Sequence, residues 1–345
     1  MPTFRDHEKQ RYAAQKPALF SPDACAPGSY KHVPRTFCLA DGHAAENLYP
    51  RHRAAAIQYF RDRNIHWHDG IGDQPSNHLC CSQSACVNAL WPLTSAPALL
   101  VAAFQPYLPQ IVEALPFVAD RPLAGGAHPF LAFEWIGTRN YLGEHGARTR
   151  GAYATSADFV FRFRRDDGRT QLVLGEWKYT EEYRSARARP EKTLTTQQAI
   201  YRSHYEAWRA EGADLPPYAE LFVAPFYQLM RLTLLARAME ADRRAGGPGE
   251  LGADLVTVLH VVPRANRAFA ASLHGTALPR YGSTPSAIWS ALAPERFVAV
   301  PAEDLLASLH ANAPAHLRPW GDYLLQRYGW WQPGVGVAKR DGASA

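Results

Sequence analysis

Two apolar runs separated by an Asp-Gly pair constrain this chain more than any other feature. Ala157 to Phe163 and Gln171 to Tyr179 are rich in Phe, Val and Leu, and Asp167-Gly168 between them is a strong turn signal. The two runs are expected to form an antiparallel hairpin. A loop centred on Asp167 places Asp158, nine residues before it, opposite Glu176, nine residues after it. Opposed side chains share a face, and Glu176 and Lys178 share one through the two-residue strand period. Asp158, Glu176 and Lys178 then project into one patch. A two-residue turn would shift the register by one and split them onto opposite faces. The expected loop is therefore odd in length, three residues ending in Gly168.

Two carboxylates and an ammonium in one patch are the equipment for holding a hard divalent cation and cleaving a phosphodiester. Charged residues at strand ends are commonly just solvated, and Glu-x-Lys alone arises often by chance. Here Leu172-Val-Leu-Gly175 is apolar enough for a central strand, so the charges sit at the rim of a core. The aspartate also falls at the matching position across the turn.

Asp158 followed by Glu176-x-Lys178 resembles the signature of the PD-(D/E)xK nuclease superfamily, the restriction-endonuclease-like fold. The resemblance covers roughly residues 130 to 265, with Ser156-Ala157-Asp158 standing where the family name has Pro-Asp. It implies an α/β fold: an αβββαβ core with a mixed central sheet and flanking helices. It implies that Asp158 and Glu176 bind Mg²⁺, which Mn²⁺ could replace, and that Lys178 positions or activates the attacking water. Glu134 or Glu144 would complete the site, with Glu134, inside a strand, favoured. His128 to Ile136 reads as the first strand of the meander, and Asp254 to Val262, a β-branched run, as a strand buried on both faces. Thr195 to Tyr205 is helical, and its Gln197 and Tyr201, four apart on one helix face, resemble the Gln-x-x-x-Tyr motif of the RecB-like exonuclease branch. A helix from Pro225 to Met239, with a stronger apolar stripe, is the expected core-packing crossover.

Net charge is +5, unevenly spread. Residues 139 to 192 carry 12 Lys and Arg against 8 Asp and Glu. Arg148 and Arg150, just before Asp158, are expected on nucleic-acid phosphates together with Gln197 and Tyr201, since phosphate contacts supply most non-specific affinity. The expected partner is nucleic acid, DNA first. The alternative is a nucleic-acid-binding protein of the same fold that does not cut. No run approaches the ~18 apolar residues of a membrane helix, and the charged start lacks a signal-peptide core, so a cytoplasmic location is expected. Five cysteines, two of them adjacent, suggest no disulfide framework.

The organisation expected is an N-terminal extension over residues 1–125, a nuclease-like core over 126–335 and a frayed tail over 336–345. Residues 1 to 45, polar and Pro-rich, read as an irregular arm, and Ala44 to Arg63 as an amphipathic helix. His66, His68, Asp69, His78, Cys80, Cys81 and Cys86 lie close in sequence, which raises zinc, but their spacings fit no standard module. The same segment reads as a helix from Ser82 to Leu90 with Cys86 and Val87 inward and Gln83 and Asn88 toward the cleft.

Overall fold

The computed structural model describes residues 2–152, 154–183, 191–273 and 277–329. In chain order the elements are α1 (Phe4–Leu19), β1 (Gly28–Tyr30), β2 (Val33–Arg35), α2 (Pro50–Asp62), α3 (Ser82–Leu90), α4 (Pro97–Phe104), β3 (Ile111–Leu115), β4 (Leu131–Trp135), β5 (Ala157–Arg165) and β6 (Thr170–Trp177). There follow α5 (Glu191–Ala210), α6 (Phe226–Arg244), β7 (Leu255–Val262), α7 (Arg267–Ala270), α8 (Pro285–Leu292), β8 (Phe297–Pro301), α9 (Ala302–Ala311) and α10 (Arg318–Arg327).

A mixed sheet runs in the order β3-β5-β6-β7-β8, and β4 also pairs with β5. β5 and β6 are antiparallel, whereas β6, β7 and β8 are parallel. β3 and β4 share one edge of β5: β3 takes its second half and β4 its first. This is the α/β architecture with a mixed central sheet and flanking helices that the sequence implies.

The hairpin has the expected register. Phe159 pairs with Gly175 and Phe163 with Gln171, which sets Asp158 across from Glu176. Arg165 N–H donates to Arg169 O at 2.9 Å, leaving Asp166, Asp167 and Gly168 as the loop. Gly168 takes a φ of 81°, the left-handed conformation that glycine adopts without steric cost. Gly175 is required for a different reason. The Phe159 ring lies over it, and a Cβ there would come within 2.2 Å of the ring.

The sheet separates two core layers. Phe159, Phe161, Phe163 and Val173 face α3, α4, α9 and α10, where Leu90, Phe104, Leu306 and Trp320 are buried with them. Val160, Leu172 and Leu174 face α5 and α6, where Tyr205, Leu229 and Met230 are buried. By the two-residue period, Asp158 and Glu176 project on the α6 side.

Three expectations for the N-terminal half need correction or refinement. Residues 4–19 form a helix rather than an irregular arm. Thr3 and Asp6 build a reciprocal capping box at its start. Its buried face is polar: Glu8, Tyr12 and Lys16. The Lys16 ammonium donates to the carbonyls of Ala26, Cys25 and Cys38. The sheet also draws a strand, β3, from within residues 1–125, and residues of that segment share a core layer with β5 and α9. The amphipathic helix begins at Pro50, after a short 3₁₀ turn over Ala44–Asn47. The expected tail, 336–345, lies outside the described residues.

Candidate active site

The open end of the β5–β6 hairpin leads into a cavity of about 290 Å³ lined by Asp158, Glu176, Lys178 and Glu134. Strand geometry places the first three. The main chain continues beyond β6 in register, with Lys178 N–H donating to Val261 O at 2.8 Å. Lys178 therefore stays on the face of Glu176. Its Nζ lies 2.6 Å from Glu176 Oε1 and donates to Gln228 Oε1 of α6 at 2.8 Å. Trp177 N–H donates to Asp158 Oδ2 at 2.6 Å, tying the aspartate to the strand that carries Glu176.

Glu134 arrives by a break in β4. Phe133 pairs with Phe159 and Trp135 with Ala157, but Glu134 between them takes a φ of 51°. That left-handed residue upsets the alternation, so Phe133 lies in one core layer and Trp135 in the other. The conformation costs a non-glycine residue about 1–2 kcal/mol and persists where neighbours over-determine it. Three groups do so here. Gln83 Nε2 of α3 donates to Glu134 Oε1 at 2.7 Å, Ser156 Oγ donates to Oε2 at 2.9 Å, and Arg150 Nε donates to the Glu134 carbonyl at 3.1 Å.

The electrostatics follow from three enclosed carboxylates around one ammonium. Burial, then the charges of Glu176 and Glu134, push the Asp158 carboxyl well above the usual carboxylate range. Burial is also the main reason Glu134 is pushed up to about 7, against the lowering hydrogen bonds from Gln83 and Ser156. Burial works against the Lys178 ammonium, yet Glu176, with Tyr183, Glu181 and Asp158, holds it well above its ordinary value. The site is rich in negative charge and short of counter-charge.

That donor set suits a hard cation. Among the described residues no three His, Cys, Asp or Glu side chains form a ready-made metal cluster, either here or in the His66–Cys86 segment. A Mg²⁺ ion demands fewer protein ligands than that, since it keeps several waters and uses one or two carboxylates. Asp158 and Glu176 would serve as those two.

The other anticipated residues scatter. Glu144 does not line the cavity; it accepts from Thr155, Tyr201 and Arg231, and these bonds hold it below its ordinary value despite burial. Tyr201 is therefore buried against Glu144 rather than presented to a ligand, and Gln197, partly exposed on the same helix, is not among the described residues lining the cavity. Arg150 is built into the fold. It bonds Asp120 at 3.1 Å and the carbonyls of Glu134 and Phe133. Arg148 is exposed, with one guanidinium nitrogen donating to the carbonyls of Ile136, Gly137 and Arg139. Gln83 reaches the cavity as expected of α3, whereas Asn88 turns away to bond Tyr49, Asn47 and Tyr328.

Several residues of the cavity, Glu181 and Thr155 among them, escaped the sequence reading of the site, and two of these lie on α6. Gln228 and Arg231, three apart on α6, both line it. Arg231 Nε donates to Thr155 Oγ1 at 2.8 Å and its terminal nitrogen to Glu144 at 3.2 Å. Two polar residues at helical spacing inside an apolar helix were the available signal.

A family model described as Restriction Endonuclease associating with ARP matches residues 5–329. The chain belongs to this family. The matched span of the REase-ARP family takes in α1 and the C-terminal helices as well as the hairpin, so it extends well beyond the residues that carry the PD-(D/E)xK resemblance. Membership of a restriction-endonuclease family implies a nuclease-type protein with a nucleic-acid substrate. No curated protein and no solved structure matches the chain. Among the described residues, no helix is long and apolar enough to cross a membrane.

Proposed function

We propose that this chain is a metal-dependent nuclease that hydrolyses phosphodiester bonds in nucleic acid, DNA being the expected substrate. The observation that carries the reading is the convergence of Asp158, Glu176 and Lys178 on one cavity, with the ammonium 2.6 Å from Glu176. Asp158 and Glu176 would hold Mg²⁺ or Mn²⁺. Bound there, such an ion supplies polarisation of the scissile phosphate and a bound water of lowered pKa.

The remaining roles fall to the chain's own groups. Lys178, kept protonated by Glu176 and aimed by Gln228, acts as a donor. It orients the attacking water and offsets charge on the phosphorane. A group held so firmly as an ammonium is a poor base. Glu134, which lines the same cavity and whose carboxyl is pushed up to about 7 chiefly by burial, is better matched to taking the proton of that water. Arg231, lining the cavity from α6, offers a cation to a phosphate oxygen. Among the residues expected on the nucleic-acid backbone, Arg148 and Gln197 keep at least partly exposed positions.

Incubation with linear, circular and single-stranded DNA and with RNA, each with Mg²⁺, Mn²⁺ or a chelator, tests the reading. Metal-dependent product from any substrate supports it. Binding without product in every metal condition would favour a nucleic-acid-binding protein that does not cut.

A further inference from the structure

A second cleft, of about 340 Å³, lies behind the wall of the candidate active site. The wall is two turns. His66 faces the second cleft and His68 the first, while Thr149 faces the second and Gly151 the first. His66 N–H donates to Arg150 O at 3.0 Å, pinning one turn to the other. His66 and His68, two residues apart, are separated by no more than about 7 Å. The two clefts are therefore neighbours across a thin wall.

The lining of this cleft suits a base rather than a phosphate. Beneath it Phe60 and Trp67 stack at 3.8 Å and are nearly fully buried, so they brace the cleft, whose accessible lining is mainly polar. Its walls carry Arg61, Asn64, Asp73, Thr149 and His66. That set mixes donors with acceptors, as the edge of a nucleobase does. A phosphate would meet the Asp73 carboxylate, and Arg61, the one guanidinium among the described residues lining the cleft, lies 3.6 Å from it. Both of those side chains are largely exposed, so their pairing is weak and open to exchange. Asn64, exposed and lining the cleft, has a backbone φ of 49°.

We propose that this cleft seats one unstacked nucleobase of the strand whose phosphate occupies the cavity of Asp158, Glu176 and Lys178, and that Asn64 and Arg61 read its edge. The proposal rests on the nuclease reading and adds to it a substrate class: a strand with at least one base free of its stack.

The test uses the full chain carrying Asp158→Asn, so that binding is measured without cutting. Its affinity for a short labelled single-stranded oligonucleotide is compared with its affinity for copies in which one abasic position is walked along the strand. A second protein adds Asn64→Gly, which keeps the backbone conformation while removing the amide, and Arg61→Met, which removes the guanidinium. One abasic position should weaken binding by about 5–10-fold in the first protein, the loss of one edge contact. The second protein should bind the intact strand more weakly by a similar factor and be indifferent to the same abasic position. An abasic penalty undiminished in the second protein overturns the base cleft alone. Failure of the Asp158→Asn protein to bind any oligonucleotide overturns the nuclease reading together with it.

Discussion

Replacing Arg150 with alanine separates a residue of the fold from a residue of the substrate surface. The arginine is 11% exposed and its partner Asp120 is 2% exposed. Its guanidinium joins Asp120 at 3.1 Å, the Glu134 carbonyl at 3.1 Å and the Phe133 carbonyl. Breaking a buried pair costs about 3–5 kcal/mol. Asp120 keeps Arg63 at 2.8 Å and Tyr59, which pulls the figure toward the lower bound. Two carbonyls left without a donor raise it again, by about 1 kcal/mol or more each. A loss of about 4 kcal/mol is the working value. Unfolding entropy of about 2.1 cal/mol/K per residue over 345 residues gives about 0.7 kcal/mol/K. Arg150→Ala should then lower Tm by roughly 5–6 °C. The assay is a thermal melt, paired with DNA-binding affinity measured across a salt series at a temperature where both proteins are folded. The expected slope of log affinity against log salt is unchanged. A Tm within about 1 °C of the parent, with a slope shallower by about one unit, would refute the structural assignment and return Arg150 to the phosphate surface.

Three further outcomes follow from the same geometry. Glu134→Asn places a residue tolerant of left-handed backbone at a strained position and removes a buried charge. The metal-free protein at pH 8 should melt about 1–3 °C higher while cleavage falls by at least tenfold; a lower Tm with cleavage intact contradicts it. Lys178→Met should abolish turnover yet leave Mg²⁺ affinity by calorimetry equal or tighter, because an ammonium is no metal ligand. Affinity collapsing with activity would make Lys178 a structural partner of Glu176. Glu134 has an ordinary value of 4.5 and is pushed up to about 7 in the fold, so between those pH values the folded protein keeps a proton that the unfolded chain has lost. Metal-free stability should accordingly fall as pH rises from about 4.5 to about 7, and the Tm gain from added Mg²⁺ should grow over the same window. A Mg²⁺-induced gain that is flat from pH 5 to pH 8 would contradict this.

The centre of the site was legible because it depends on local rules. A three-residue loop ending in Gly168 sets the hairpin register, and the strand period then gathers Asp158, Glu176 and Lys178 on one face. Gln83 was legible as a polar residue on a short, otherwise buried helix. What depended on tertiary packing was not. Gln197 and Tyr201 do share a helix face, but helical spacing carries no information about what that face meets, and Tyr201 meets Glu144 and Arg231. Arg150 looked like surface charge because its partners, Asp120 and two strand carbonyls, are remote or main-chain groups. α1 was hidden by its polar buried face, which breaks the apolar stripe that marks a helix. β3 was hidden by its length of five residues and by exposed Val112 and Glu113 at the sheet edge.

The central claim is that two carboxylates at the end of one hairpin hold the ion on which cleavage depends. The measurement that tests it most directly is the initial rate of DNA cleavage across a Mg²⁺ titration, for the parent and for Asp158→Asn and Glu176→Gln at equal folded concentration. The account predicts a saturable Mg²⁺-dependent rate in the parent, none in chelator, and a loss of at least about 100-fold in each variant. Cleavage that persists in chelator, or either variant cutting at the parental rate, would contradict it.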